Sequence, residues 1–168
     1  MKDVLELRMK DVLLVAGLLA APFTTSVQEY RAQPTVDQKD PRLAKLKKYF
    51  AERDCPLQDS AKDFLVAADQ NSLDWRLLPS ISMIESSGGK DYRNNNVFGW
   101  NSCKERFPSV RAGIHYVAAQ LGKSSRYKGK DVSHKLQMYN PLPEYPRRVE
   151  AVMRAIGTFH QPRVVAAD

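Results

Sequence analysis

The chain has 168 residues, 43% of them hydrophobic and 27% charged, a composition that supports one packed domain and hardly two. With 8 Gly and 10 Pro it is neither collagen-like nor a low-complexity disordered chain, and no apolar run reaches the ~20 residues of a membrane-spanning helix. Lys and Arg total 26 against 19 Asp and Glu, a net charge of +7, so an anionic partner is expected: nucleic acid, anionic lipid or an acidic polymer.

The N-terminus narrows that choice. Val12 to Ala21 is an unbroken apolar run, and no charge falls between Val12 and Gln28. This is the pattern of a secretory leader, with Thr24, Thr25 and Ser26 after Pro22 as the cleavage zone. Residues 1–26 are therefore read as a signal peptide, with an uncleaved membrane tether or a buried core helix as alternatives. The string MKDVL occurs at both Met1 and Met9, and either is a candidate start. Export to the periplasm or the extracellular space follows from this reading. Cys55 and Cys103 are then an even pair in an oxidising compartment, and a disulfide between them is expected. Closing so long a loop is worth about 4 kcal/mol in the chain-entropy model. The histidines (His115, His134, His160) are scattered and no CxxC is present, so neither a metal site nor a cofactor is expected.

Residues 27–39 are polar and read as a linker. Asp40-Pro41 then opens a helix with a cap and a first-turn proline, and Leu43, Leu46 and Phe50 form its inward stripe. A second helix runs from about Ser60 to Asn71 with Phe64, Leu65 and Ala68 inward. Asp74 caps a third, carrying Leu77, Leu78, Ile81 and Ile84, in which Pro79 either belongs to the first turn or kinks the helix. Residues 86–108, rich in Gly and Asn, read as a long irregular loop. Ser109 caps a fourth helix with Val110, Ile114, Val117, Ala118 and Leu121; a short fifth spans roughly Ser133 to Tyr139; the last carries Val149, Val152, Met153 and Ile156 before Gly157. The expectation is a single, mainly α domain over residues 40–157, with a long active-site loop or small hairpin, followed by a tail at 158–168.

One carboxylate stands out. Glu85 ends an apolar helix immediately before the Gly88-Gly89 pair. The negative end of the helix dipole and the neighbouring Ile81 and Ile84 both disfavour its ionised form. A carboxylic acid held protonated near neutral pH is what a general acid requires. The alternative is a solvated glutamate at a frayed helix end.

The segment LLPSISMIESSGG followed by NNNVFGW resembles the lysozyme-like superfamily of peptidoglycan-cleaving enzymes. It is similar both to the soluble lytic transglycosylases and to the bacterial glucosaminidases of the endo-β-N-acetylglucosaminidase kind. Glu85-Ser86 matches the catalytic Glu-Ser of those families, and Asn95-Asn96-Val97-Phe98-Gly99 matches the glucosaminidase Asn-Asn-x-Phe-Gly segment. Phe107, Ser109 and Tyr127 continue that pattern, while Met138-Tyr139-Asn140, with Tyr145 and Val149 beyond, resembles the Ala-Tyr-Asn element of the transglycosylases. The likeness extends over roughly Leu73 to Ile156. The transglycosylase Gly-Leu-Met-Gln element is absent, with Phe98-Gly99-Trp100 in its place.

The resemblance implies an α+β lysozyme-like fold and an enzyme, a glycoside hydrolase or lytic transglycosylase cutting β-1,4 bonds between the N-acetylated amino sugars of peptidoglycan. Glu85 is then the general acid and base. An N-acetylated sugar brings its own nucleophile in the 2-acetamido group, so a second carboxylate is not obligatory, although most glycosidases use two. Asp91, Glu105, Asp131, Glu144 and Glu150 are candidates for one by position only. Tyr139 and Asn140 would hold the acetamido group or the oxocarbenium-like centre; Phe98 and Trp100 would stack on sugar rings; Ser86, Asn95 and Asn96 would hydrogen-bond glycan, unless the asparagines simply form left-handed turns. The partner is the glycan strand of peptidoglycan and the protein is expected to be a monomer. A catalytically inactive wall-binding module on the same fold is the alternative. A nucleic-acid partner is not expected, because Arg147-Arg148 and Lys45-Lys47-Lys48 have no interleaved aromatics and the leader directs export.

Overall fold

A computed structural model describes residues 36–157. The leader, most of the 27–39 linker and the 158–168 tail lie outside the described residues. Among these residues six α-helices follow one another: α1 (Pro41–Ala51), α2 (Ala61–Gln70), α3 (Leu77–Ser86), α4 (Val110–Lys123), α5 (Val132–Tyr139) and α6 (Tyr145–Ile156). The chain is mainly helical. Among the described residues there is no β-strand, and the sole sheet-like pairing is an isolated bridge between Arg93 and Asn96. The long segment between α3 and α4 is thus a loop, not a hairpin.

The helix starts follow from local chemistry. Asp40 accepts the backbone N–H of Arg42 at 2.8 Å, with Pro41 in the first turn where no N–H is required. Ser109 and Asp131 do the same for α4 and α5, accepting from Ala112 at 3.1 Å and from His134 at 2.8 Å. Asp74 accepts from Arg76 N and pairs with its guanidinium at 2.6 Å, while α3 itself begins at Leu77. Pro79 therefore falls in the first turn of α3 and breaks no helical hydrogen bond. A 3-10 helix at Pro56–Ser60 was not expected. Its cap, Cys55, makes no side-chain capping bond, so its start signals are limited to Pro56 and the first-turn Asp59.

α3 is the axis of the body. It packs against α6 and α2, α2 packs on α4, and α5 leans on α6. Leu77, Leu78 and Ile81 of α3 are buried with Phe64 and Leu65 of α2, Ile114 and Val117 of α4, Val149 of α6, and Trp75 just ahead of α3. Each such aliphatic side chain contributes about 1.5–3 kcal/mol on leaving water. α3 is enclosed on nearly all sides, and two of its serines bond inward: Ser82 Oγ donates to Pro79 O at 2.8 Å, and Ser86 Oγ lies 2.9 Å from both Ser82 O and Val97 O, while the buried Ser80 Oγ has no hydrogen-bond partner among the described residues. Ser86 thereby fastens the end of the helix to the far side of the loop.

The expected Cys55–Cys103 bridge is not formed: both cysteines are free thiols. Cys55 is buried beside Met83, its Sγ 3.6 Å from the thioether sulfur, and under Gly88. Cys103 sits in a left-handed turn whose N–H bonds back to Gly99 and Trp100. Each sulfur is committed to a different neighbourhood. Gly88 closes the packing over Cys55: its φ is +70°, and a Cβ there would lie 2.5 Å from Cys55 Sγ.

Two measurements follow. Gly88→Ala, strained in the left-handed region and overpacked against Cys55, should destabilise the protein by about 2–4 kcal/mol in denaturant unfolding. Thiol titration of the denatured, non-reduced protein should find both cysteines reactive; a zero count would restore the bridge.

Candidate active site

α3 ends at a concavity of about 620 Å³ whose floor is Glu85 and Gly99 and whose walls include Trp100, Glu105, Tyr116, Arg126, Tyr127, Met138, Tyr139 and Asn140. Glu85 occupies the last turn of α3, where the exposed carbonyls carry partial negative charge. Its Oε1 accepts a hydrogen bond from the Tyr145 hydroxyl at 2.6 Å, a residue 60 positions away at the start of α6. Burial pushes the Glu85 carboxyl above the usual carboxylate range; the Tyr145 bond and the field of Arg148 oppose this without cancelling it. Gly99 leaves room for the other oxygen, since a Cβ at that position would stand 2.8 Å from Oε2. With Oε1 occupied by Tyr145, Oε2 is the atom available for a transferable proton.

The two tyrosines form one unit. Tyr139 and Tyr145 stack with centroids 5.9 Å apart and planes 10° from parallel. Tyr139 donates its hydroxyl proton to the Phe98 carbonyl. Burial next to Glu85 raises both phenols well above the ordinary tyrosine range, so both stay neutral donors. Trp100 lies 5.6 Å from Tyr139, 6.2 Å from Tyr116 and 6.3 Å from Tyr127, which makes an aromatic wall along the cleft. Two bonds fix that wall to α5: Lys135 Nζ donates to Tyr127 O at 2.6 Å, and Arg126 Nη2 donates to Met138 O at 2.9 Å.

The structure brings together Glu85, Trp100, Tyr139 and Asn140 at the cleft. It moves Ser86, Asn96 and Phe98 away from ligand contact. Ser86 is 3% exposed and Asn96 1%, while Phe98 is fully enclosed with its ring edge-on to Phe64. These three act through the loop. Asn96 Nδ2 donates to Trp100 O at 2.9 Å and its Oδ1 accepts from Trp100 N at 3.0 Å, so it sets where Trp100 stands. Phe98 supplies the carbonyl that holds Tyr139. Asn95, half-buried, donates to Phe107 O at 2.8 Å and is not part of the cleft wall. Asn94 and Asn95 have φ of 58° and 55°, which is the turn-forming role of asparagine.

Of the carboxylates named by position, Glu105 alone lines the cleft; Asp131 is engaged with His134 at 2.8 Å. Tyr145 and Arg126 were not singled out as site residues from sequence. The signal for Tyr145 in the sequence is its place after Met138-Tyr139-Asn140 in the resemblance drawn above. Among the described residues no group of three or more His, Cys, Asp or Glu is placed to hold a metal ion. None of their helices is long and apolar enough to cross a membrane.

No protein-family model matches this chain, and neither does any curated protein.

Tyr145→Phe removes a hydrogen bond that favours the charged form, so it should raise the Glu85 pKa further. Carboxyl titration by NMR in the two proteins reads the shift directly; an unchanged or lowered Glu85 pKa would contradict the geometry.

Proposed function

We propose that the protein is an exported enzyme with a lysozyme-like fold that cleaves β-1,4 bonds between the N-acetylated amino sugars of peptidoglycan. One observation carries the proposal: a carboxyl with a raised pKa, at the end of a buried helix, faces a cleft walled by aromatic rings. Glu85 protonates the glycosidic oxygen from Oε2 as the bond to C1 breaks. Positive charge grows on the ring, and the substrate's own 2-acetamido oxygen or its C6 hydroxyl closes on C1. Glu85, now a carboxylate, takes the proton of that hydroxyl, or of a water whose oxygen bonds C1 as the C1–acetamido oxygen bond breaks, and the cycle ends with the acid restored. Tyr145 keeps Oε1 engaged throughout and steadies the charged state.

Asn140 has its Oδ1 tied to Leu142 N at 3.1 Å, which directs Nδ2 outward as a donor for the acetamido carbonyl. Trp100 and Tyr116 offer apolar faces to sugar rings. Tyr139, whose proton is given to Phe98 O, works by shape and by stacking on Tyr145, not as a donor to the sugar. The basic surface suits a polymer that bears carboxylates.

Glu85→Gln keeps the shape and the bond from Tyr145 but has no proton to give. Turnover of purified peptidoglycan should fall at least ~10²–10⁴-fold while the circular dichroism spectrum stays that of the wild type. Wild-type activity should decline as pH rises through the elevated Glu85 pKa, because ionisation removes the donor. Near-normal cleavage by Glu85→Gln would sink the assignment. If the wild type binds but never cleaves, the same fold is a wall-binding module. Mass spectrometry of the soluble products identifies the reducing-end sugar and any anhydro form.

A further inference from the structure

Among the described residues, Arg126 is the single cation lining the cleft. It is exposed, and among the described residues it makes no ion pair; Glu105, in the same cleft, is not bonded to it. Its guanidinium lies 5.4 Å from the Tyr127 ring centroid, and Nη2 donates to Met138 O at 2.9 Å. These contacts fix the plane of the group but use only part of its donor fork. A planar cation held in place with open donors matches a carboxylate, which it can grip in bidentate fashion. The charge is not spent on Glu85 either, since the cation that acts there is Arg148. Tyr127, the ring beside Arg126, is itself held through its backbone carbonyl, which accepts from the buried Lys135 Nζ at 2.6 Å.

We infer that Arg126 is the specificity-determining residue of the cleft and binds a carboxylate carried by the glycan, so that acid-bearing strands are selected over neutral ones. This rests on the glycan-cleaving reading above. The sugar backbone lies on Trp100 and Tyr116 while its acidic substituent turns toward Arg126. In wall glycan that carboxylate comes either from the stem peptide or, once the peptide is removed, from the lactyl ether on the sugar.

The test uses full-length protein carrying Glu85→Gln, which holds glycan without turning it over. Calorimetric titration compares three soluble oligosaccharides of equal length: peptide-bearing, peptide-stripped with a free lactyl carboxylate, and neutral N-acetylglucosamine oligomer. The acid-bearing ligands should bind more tightly than the neutral one, and the tighter of the two identifies the source of the carboxylate. Adding Arg126→Gln should reduce the acid-over-neutral affinity ratio about ten- to a hundredfold, with Arg126→Lys recovering part of it. Loss of affinity in equal proportion for all three ligands would overturn the inference, since that is what a merely structural arginine predicts. An unchanged ratio would overturn it as well. Wild-type turnover of peptidoglycan, assayed in parallel, separates the two levels: cleavage with no Arg126-dependent ratio removes this inference alone, whereas neither cleavage nor binding removes the glycan-cleaving reading beneath it.

Discussion

The hydrogen bond from Tyr145 to Glu85 joins α6 to the buried helix α3. α3 delivers the carboxyl and α6 delivers the phenol, and their packing is the most extensive helix contact in the body. A half-buried carboxylate with no donor would cost several kcal/mol to charge; one donor lowers that cost without abolishing it. The result is a carboxyl that titrates above the usual carboxylate range. That balance depends on rigid-body placement, because a shift of α6 by a fraction of an ångström would lengthen the bond. Arg76 guards against such a shift from the other end, donating to Gly157 O at 2.7 Å just past the last turn of α6.

The loop after α3 shows how a segment without regular structure becomes a precise wall. Its backbone enters the left-handed region at Ser87, Asn94, Asn95, Asn101, Ser102 and Cys103 as well as at its glycines. Left-handed residues cannot extend a ladder, so the loop is closed by short backbone turns and by side-chain bonds across it. Asn94 reaches Cys103 O, Asn95 reaches Phe107 O and Asn96 clasps Trp100 from both sides. Val97 and Phe98, buried between these turns, pin the loop to the core. The cleft edge is therefore as well determined as a helix, though no periodic pattern announces it.

Most of the helical frame was legible in the sequence because its signals are local. Asp40-Pro41, Ser109 and the apolar stripes around Leu46, Phe64 and Ile114 depend on neighbours within a few positions. Glu85 was legible for the same reason: its helix end, apolar flanks and following glycines are contiguous. Tyr145 was legible only through the resemblance, since its bond to Glu85 is set by a partner on a helix far along the chain. Ser86, Asn96 and Phe98 show a different failure. Their position beside the candidate acid says nothing about which way each points, and in a left-handed loop the inward and outward sides do not alternate. The cysteines failed for lack of a distance: an even count is compatible with pairing, but Cys55 and Cys103 are packed into separate surroundings.

The placement of the two tryptophans has an optical consequence. Trp75 is enclosed in the core, whereas Trp100 stands at the rim of the cleft within about 6 Å of three tyrosine rings. Excitation absorbed by those phenols passes readily to an indole so close, so the ultraviolet emission of the protein is weighted toward the indole that lines the cleft. Trp75 contributes a steady background at the wavelength of an apolar interior. The cleft thus carries its own reporter, whose colour and intensity track whether water or a sugar face lies against Trp100.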